Sequence, residues 1–395
     1  MVTEVTSWAE LHAVRGDLNG SYVLTRDLLQ TDPDYLDYND PTGEGWEPIG
    51  HYDADWSEHP FTGTFDGQGY EIDGLFINRD QVDGIGYSSG LFGILGGTLN
   101  NLKLTNLNIT NHNNNWGTTG GITGYLNHGS INNCFLEGNI IASPWDIGGL
   151  VGYNWAGTIS KCYTNVFVNG NRYGGCFIGY HDRGIIENCY SMGSIARISG
   201  STDTDFGGFV GYNYQGKIIN CYSTGSVHYE GVADPTNKGF VGDVDTGGAY
   251  EMTGNFWDVD TSGQTTTSGN ATGLNTSEMM DIATFSDTTQ ETLDESWDIT
   301  DVESEYHKDE NYIWNIVQND TYPFFSYSFK WFEVYDTSFQ TFVNKFLNVK
   351  KIKQTLRNIY EQIFNRYVIE ELDPDYKIKE KMPKFVLEEL DENII

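Results

Sequence analysis

One glycine-rich phrase, written in six copies at nearly equal spacing, restricts this chain more than anything else in it. Gly120-Gly121-Ile122-Thr123-Gly124, Gly148-Gly149-Leu150-Val151-Gly152 and Gly207-Gly208-Phe209-Val210-Gly211 are the clearest copies. Gly175-Cys176-Phe177-Ile178-Gly179 and Lys238-Gly239-Phe240-Val241-Gly242 are weaker, and Gly90-Leu91-Phe92-Gly93 opens the series. The closing glycines are Gly93, Gly124, Gly152, Gly179, Gly211 and Gly242, a period of about 30 residues. A second phrase keeps step a fixed distance later: Asn133-Cys134-Phe135, Lys161-Cys162-Tyr163, Asn188-Cys189-Tyr190 and Asn220-Cys221-Tyr222, with Leu102 and Phe256 near that column at its two ends. Two phrases locked in phase mark a repeat protein.

Each copy offers two short apolar runs between Gly, Asn and Ser clusters, which reads as strands rather than helices. No copy holds enough apolar residues for its own core, so neighbours must stack and share one. One repeat per coil at roughly 4.8 Å per coil gives a mainly β, parallel β-solenoid of about six rungs. Equivalent residues then line up as ladders. The paired glycines fit places of close backbone approach or positive φ. A phosphate-binding reading fails because no helix follows.

The Gly-Gly-Leu/Phe-Val-Gly phrase followed by Asn-Cys-Tyr resembles the GLUG repeat of secreted and surface-attached proteins. Trp46-Glu47-Pro48-Ile49-Gly50, Phe61-Thr62-Gly63-Thr64-Phe65-Asp66-Gly67, Asn255-Phe256-Trp257-Asp258 and Tyr322-Pro323 agree with it, so the resemblance extends over about 1 to 327. It implies a right-handed β-helix, a role in adhesion or surface architecture, and no catalytic residue set.

The formal charge is −34, and the chain up to Lys330 carries nearly all of it, with 44 acidic against 12 basic side chains. Such a body is repelled by nucleic acid and anionic membranes. High salt would relieve its self-repulsion, which suits a saline habitat; a plainly acidic, soluble exterior is the simpler reading. Cys134, Cys162, Cys189 and Cys221 occupy one ladder and are expected to point inward as small, reduced hydrophobes, too widely spaced for a zinc site. Cys176 replaces a repeat glycine and is expected to be more exposed. No cofactor or metal site is assigned. The acidic loop from Asp32 to Glu58 could hold a cation through carboxylate oxygens or could simply be solvated.

Four regions follow: an N-terminal cap and first strands over 1–89, the repeat solenoid over 90–263, its C-terminal cap over 264–330, and a helical module over 331–395. Ser7-Trp8-Ala9-Glu10 reads as a capping box opening a short capping helix with Leu11 and Val14 on one face. In the last region apolar residues recur in steps of three and four from 342 to 367. That predicts an amphipathic helix that oligomerises as a coiled coil, docks on the solenoid, or docks another virion or surface protein. Met1 to Thr6 has neither the basic region nor the apolar core of a leader. No apolar run reaches the roughly 20 residues that a membrane-spanning helix needs, so no membrane insertion is expected.

Acidic residues within the repeats, Asp146 and Asp182 among them, form no column, so a glycosidase-like carboxylate pair is not expected. Tyr125, Tyr153, Tyr180 and Tyr212 each follow a closing glycine and should form an outward ladder, with Trp145 and Trp155 beside it. Such a ladder can contact a glycan or surface receptor, or brace the solenoid. The expected function is a non-catalytic structural and attachment protein of a virion surface, as a fibre, spike or decoration protein of a virus from a saline habitat. A cell-surface adhesin and a glycan depolymerase are the alternatives.

Overall fold

The computed structural model describes residues 2–53, 55–79, 87–112, 117–229, 238–289 and 293–327. The helical module at 331–395 lies outside the described residues. Within them the chain winds as a parallel β-solenoid whose ladders form sheets of nine, eleven, six and five strands. One coil shows the plan. It runs through Asp146–Gly148, Val151–Trp155, Thr158–Ser160 and Tyr163–Gly170, each on a different sheet. The next coil repeats the order, and the register sets Tyr153 on Tyr180, Ile159 on Ile186 and Tyr163 on Tyr190. That offset equals the spacing of the closing glycines Gly152 and Gly179. The parallel stack also runs back beyond the glycine phrases, because Val2–Val5 pairs with Ser21–Leu24, which pairs with Thr64–Asp66.

The glycine phrase is a fold-back. It turns the short arm Asp146–Gly148 into the strand Val151–Trp155 with almost no space between them. A Cβ on Gly148 would lie 2.0 Å from the Val151 carbonyl oxygen, and one on Gly152 would lie 2.5 Å from the Thr119 nitrogen. No side chain fits there without moving backbone.

Two corners per coil are equally specific. His128, Ala156, Arg183 and Gln215 have φ of 53° to 60°, as do Asn101, Asn133, Lys161, Asn188 and Asn220 at 51° to 54°. Asn tolerates this left-handed region better than most residues, so the Asn that precedes Cys in the repeat is a corner residue.

The interior is filled by columns. Leu99, Ile131, Ile159, Ile186 and Ile218 are fully buried, as are Leu150, Phe177, Phe209 and Phe240. The three phenylalanine rings stack at 4.6 and 4.8 Å, within 9° of parallel. Each such buried side chain contributes about 1.5–3 kcal/mol, but only while a neighbouring coil covers it.

All five cysteines are buried and free. Cys176 therefore departs from its expected exposure: its thiol lies inside the coil and donates to the Gly193 carbonyl at 3.5 Å. Near the end of the stack, Asn255 takes the position of the cysteine column, and the next residue, Phe256, stands on Tyr222. At the N-terminus, Ser7 Oγ accepts from the Glu10 amide at 3.2 Å, capping the helix Trp8–Ala13. Glu10 reaches back one residue further than a capping box does, accepting from the Thr6 amide at 2.7 Å. Leu11 and Val14 are buried as expected.

Candidate functional site: two aromatic columns

Two aromatic columns run along the outside of the solenoid, and they differ in what covers them. The first is Phe135, Tyr163, Tyr190 and Tyr222, the aromatic position of the Asn-Cys-Tyr phrase. Its rings stack at 4.3, 4.6 and 4.8 Å. The chain's own C-terminal segment covers its Tyr163, Tyr190 and Tyr222. Trp297, Trp314 and Phe325 pack there in a second hydrophobic cluster. Polar anchors fix the segment: Trp297 Nε1 donates to the Gly254 carbonyl, Trp314 Nε1 to Asn188 Oδ1, and the Tyr327 hydroxyl to the Lys161 carbonyl. Residues 274–289 and 293–327 thus lie along a flank, while Gln264 and Thr267 bond the last coil at the end of the stack.

The second column is the expected one. Tyr125, Tyr153, Tyr180 and Tyr212 are in register on successive coils. Tyr125 and Tyr153 lie face to face at 5.3 Å and 7°, Tyr153 meets Tyr180 edge to face at 82°, and Tyr180 and Tyr212 stack at 5.1 Å. Trp155 stacks beside Tyr125 at 6.4 Å and 13°. Tyr52, from the hairpin His51–Tyr52 and Glu58–His59, extends the row at 6.4 Å and 9° from Tyr125, which is buried. Neighbouring rings occupy most of the ring faces, so the row presents edges and hydroxyls outward. Burial pushes the Tyr125, Tyr153 and Tyr180 phenols well above their ordinary pKa, so these hydroxyls stay neutral. The Tyr153 hydroxyl donates to Asp182 Oδ2 at 3.1 Å, and Arg183 holds that same carboxylate at 2.6 Å.

Trp145 stands apart from this row. The Arg172 guanidinium lies over its ring at 4.5 Å and over Tyr173 at 4.4 Å. Arg172 Nε lies 3.2 Å from Asp203 Oδ2. Trp145 and Arg172 line an open, polar cleft of about 550 Å³ with Asn171 and the loop 200–204. Burial raises the neighbouring Asp146 carboxyl to about 8, with Arg172 opposing the shift and Asp203 adding to it.

The other reactive groups are held in structural roles. Each thiol in the cysteine column bonds backbone. Cys162 Sγ accepts from the Cys134 amide at 3.3 Å and donates to the Ser160 carbonyl at 3.2 Å. Cys189 Sγ repeats this with the Cys162 amide and the Glu187 carbonyl. Asn255 Oδ1 accepts from the Cys221 amide at 3.0 Å and closes the series. Burial raises the Cys134, Cys162 and Cys189 thiols well above the ordinary value, the reverse of an activated nucleophile. His181 is fully buried among inward Asn154 and Asn213, bonded to Asn154 Nδ2 at 3.1 Å and to the Lys217 carbonyl at 3.3 Å. Burial lowers its pKa to about 4. The Ser–His contacts Ser226–His228 and Ser304–His307 are local pairs on the exposed surface.

The column of Tyr163, Tyr190 and Tyr222 escaped functional notice in the sequence, although its period is the same as that of the column singled out. Trp56, half exposed at the tip of the hairpin and 4.0 Å from the Tyr87 ring centre, was also missed.

Residues 203–227 match the GLUG motif. Halomucin of Haloquadratum walsbyi is 32% identical over 154 residues, which is 38% of this chain and 2% of halomucin. A Gly-rich protein of Evansella cellulosilytica, named as a candidate membrane protein, is 41% identical over 104 residues, 26% of this chain and 11% of that relative. The chain thus spans a small fraction of either relative's length. Among solved structures, a candidate immunoglobulin A1 protease from Bacteroides ovatus superposes with a TM-score of 0.50 at 20% identity, covering 70% of this chain and 85% of that one. At that identity the likeness is one of fold. No helix among the described residues is long and apolar enough to cross a membrane.

Proposed function

Taking the chain as a GLUG-repeat β-helix protein, we propose that it is a non-catalytic structural and attachment protein displayed on a surface in saline water. The observation that carries this reading is the contrast between the two aromatic columns. Trp297, Trp314 and Phe325 of the chain's own C-terminal segment pack over the Tyr163, Tyr190 and Tyr222 part of one. Along the other, hairpin residue Tyr52 stacks on Tyr125 and Tyr173 packs against Tyr180 and Tyr212, while Tyr153, Tyr180 and Tyr212 stay partly exposed. A row of neutral hydroxyls and ring edges suits uncharged hydroxylated ligands such as glycans, whereas the acidic body repels polyanions.

The relatives support a cell-envelope or extracellular setting, and halomucin comes from a halophile. Both belong to cellular organisms, so the cell-surface reading gains support from them and the virion reading does not. Residues 331–395, with their three-and-four apolar spacing, are the proposed element for self-assembly or for docking a second surface protein.

The test is attachment. Tyr153→Ala with Tyr180→Ala should weaken binding to cells or to isolated surface glycan at least tenfold while leaving the solenoid folded. Unchanged attachment would assign the row to bracing alone.

A further inference from the structure

The hairpin that begins the tyrosine row carries a cluster of metal-binding donors. His51 and His59 face each other directly across its two strands. Their imidazoles stack at 5.1 Å between ring centres. Both Nε2 atoms point at one carboxylate: His51 Nε2 lies 3.3 Å from Asp53 Oδ1, and His59 Nε2 lies 2.7 Å from Asp53 Oδ2. One donor atom from each residue falls within 4.8 Å of the others.

The turn fixes the backbone that carries the carboxylate. The Asp53 amide donates to the Ser57 carbonyl at 2.9 Å, and the Asp53 main-chain carbonyl accepts from the Trp56 amide at 2.9 Å. The hairpin itself is spliced into the stack on both sides, by the bridges Ile49 to Phe92 and Phe61 to Leu95. Its two histidines are therefore held from below, while the donors stay accessible from solvent.

We propose that His51, Asp53 and His59 form a binding site for a divalent transition-metal ion of the zinc class. Zn²⁺ takes imidazole nitrogen and carboxylate oxygen at about 2.0–2.2 Å, so tetrahedral donors sit roughly 3.3 Å apart. The His51–Asp53 separation already has that value, and small side-chain rotations bring His59 to it. Two neutral imidazoles and one carboxylate leave the fourth position to water. Hard ions such as Ca²⁺ and Mg²⁺ are disfavoured, because they want more oxygen donors than the three residues supply. The loop's many acids suggested an oxygen-lined site; the donors brought together are two nitrogens and one oxygen. The bound ion would close the hairpin and hold Tyr52 on Tyr125, fixing the first rung of the row.

The experiment uses the full chain. Co²⁺, read by its visible absorption, and Zn²⁺, read by calorimetry, are titrated into the wild type, His51→Gln with His59→Gln, and Asp53→Asn. The expected result is one saturable equivalent, with intense tetrahedral Co²⁺ bands displaced by Zn²⁺ but not by a hundredfold excess of Mg²⁺. Both variants should lose at least tenfold in affinity while keeping the wild-type far-ultraviolet circular dichroism. Octahedral-type weak bands in the wild type, or equal affinity in folded variants, would overturn the assignment. Should a variant fail to fold, the Co²⁺ spectrum and stoichiometry of the wild type decide alone.

Discussion

Replacing Cys162 by Ala and by Ser separates two accounts of the cysteine column. If the thiol is only a small apolar filler, Ala should be tolerated better than Ser, because burying a hydroxyl costs more than burying a methyl. The structure argues the opposite order. Cys162 Sγ is the acceptor for the buried Cys134 amide, at a corner where Asn133 has left the strand conformation. Cys162→Ala leaves that amide without a partner, at a cost of about 1–3 kcal/mol, and adds a small cavity, for a total of about 2–4 kcal/mol. Cys162→Ser keeps a donor and an acceptor, although its shorter bond weakens both contacts, and should cost about half as much. With a urea dependence of about 2 kcal/mol per molar, the Ala midpoint falls by on the order of 1 M. Because stacked coils can open separately, amide exchange at Cys134 is the sharper readout and should accelerate in the Ala variant far more than in Ser. A Ser variant less stable than Ala, with Cys134 exchange unchanged in both, would refute the bracket.

Three further outcomes are expected. His181→Asn should make the protein less acid-sensitive: the histidine's pKa is lowered to about 4 by burial, so the unfolded chain takes up a proton near pH 6.5 that the folded chain refuses. Relative to the variant, which has the Asn that its column neighbours carry, the wild type should therefore lose up to about 3 kcal/mol of stability as pH drops from about 6.5 to 4, read as the difference between the two proteins' urea unfolding curves across that window. Ala156→Gly should raise stability by about 1 kcal/mol, since Ala156 holds φ of 53°; a thermal midpoint unchanged or lowered would count against the corner argument. Raising NaCl from 0.1 to 1 M shortens the screening length from about 10 to 3 Å and should raise the melting temperature, whereas a neutral osmolyte matched in osmolarity should do less.

The coil plan was legible because the repeat forces it: the matching positions of Gly148, Gly175 and Gly207 fix which residues share a column. The corner role of Asn133, Asn188 and Asn220 is also written there, since Asn belongs to the clusters that separate the apolar runs. Ring orientation was not legible. Spacing alone puts Tyr153 above Tyr125, yet cannot say that neighbours would occupy the faces and leave the edges out. The flank cover was hidden for another reason. Trp297, Trp314 and Phe325 dock onto a surface built by other residues, so no period of their own announces them, and the Thr, Ser and Asp between them look like a plain cap. The hairpin donors hid similarly, because the stretch between His51 and His59 contains no Asn-Gly or Asp-Gly turn signal.

The cover along the first aromatic column has a consequence for how such a rod can change length. A solenoid grows or shrinks by whole coils. Deleting the coil between two equivalent glycines, such as Gly152 and Gly179, would bring Cys134 onto Cys189 with the same bond it now makes to Cys162. The cover, however, is pinned at Lys161, Asn188 and Gly254, on three different turns of the stack. It acts as a gauge laid against the rod: turns lost or gained between Lys161 and Gly254 would throw the anchors on either side of the change out of register with one another. Turns added upstream of Phe135 would meet no such check. Variation in reach should therefore accumulate toward the N-terminal side, and the C-terminal half should keep a fixed number of turns.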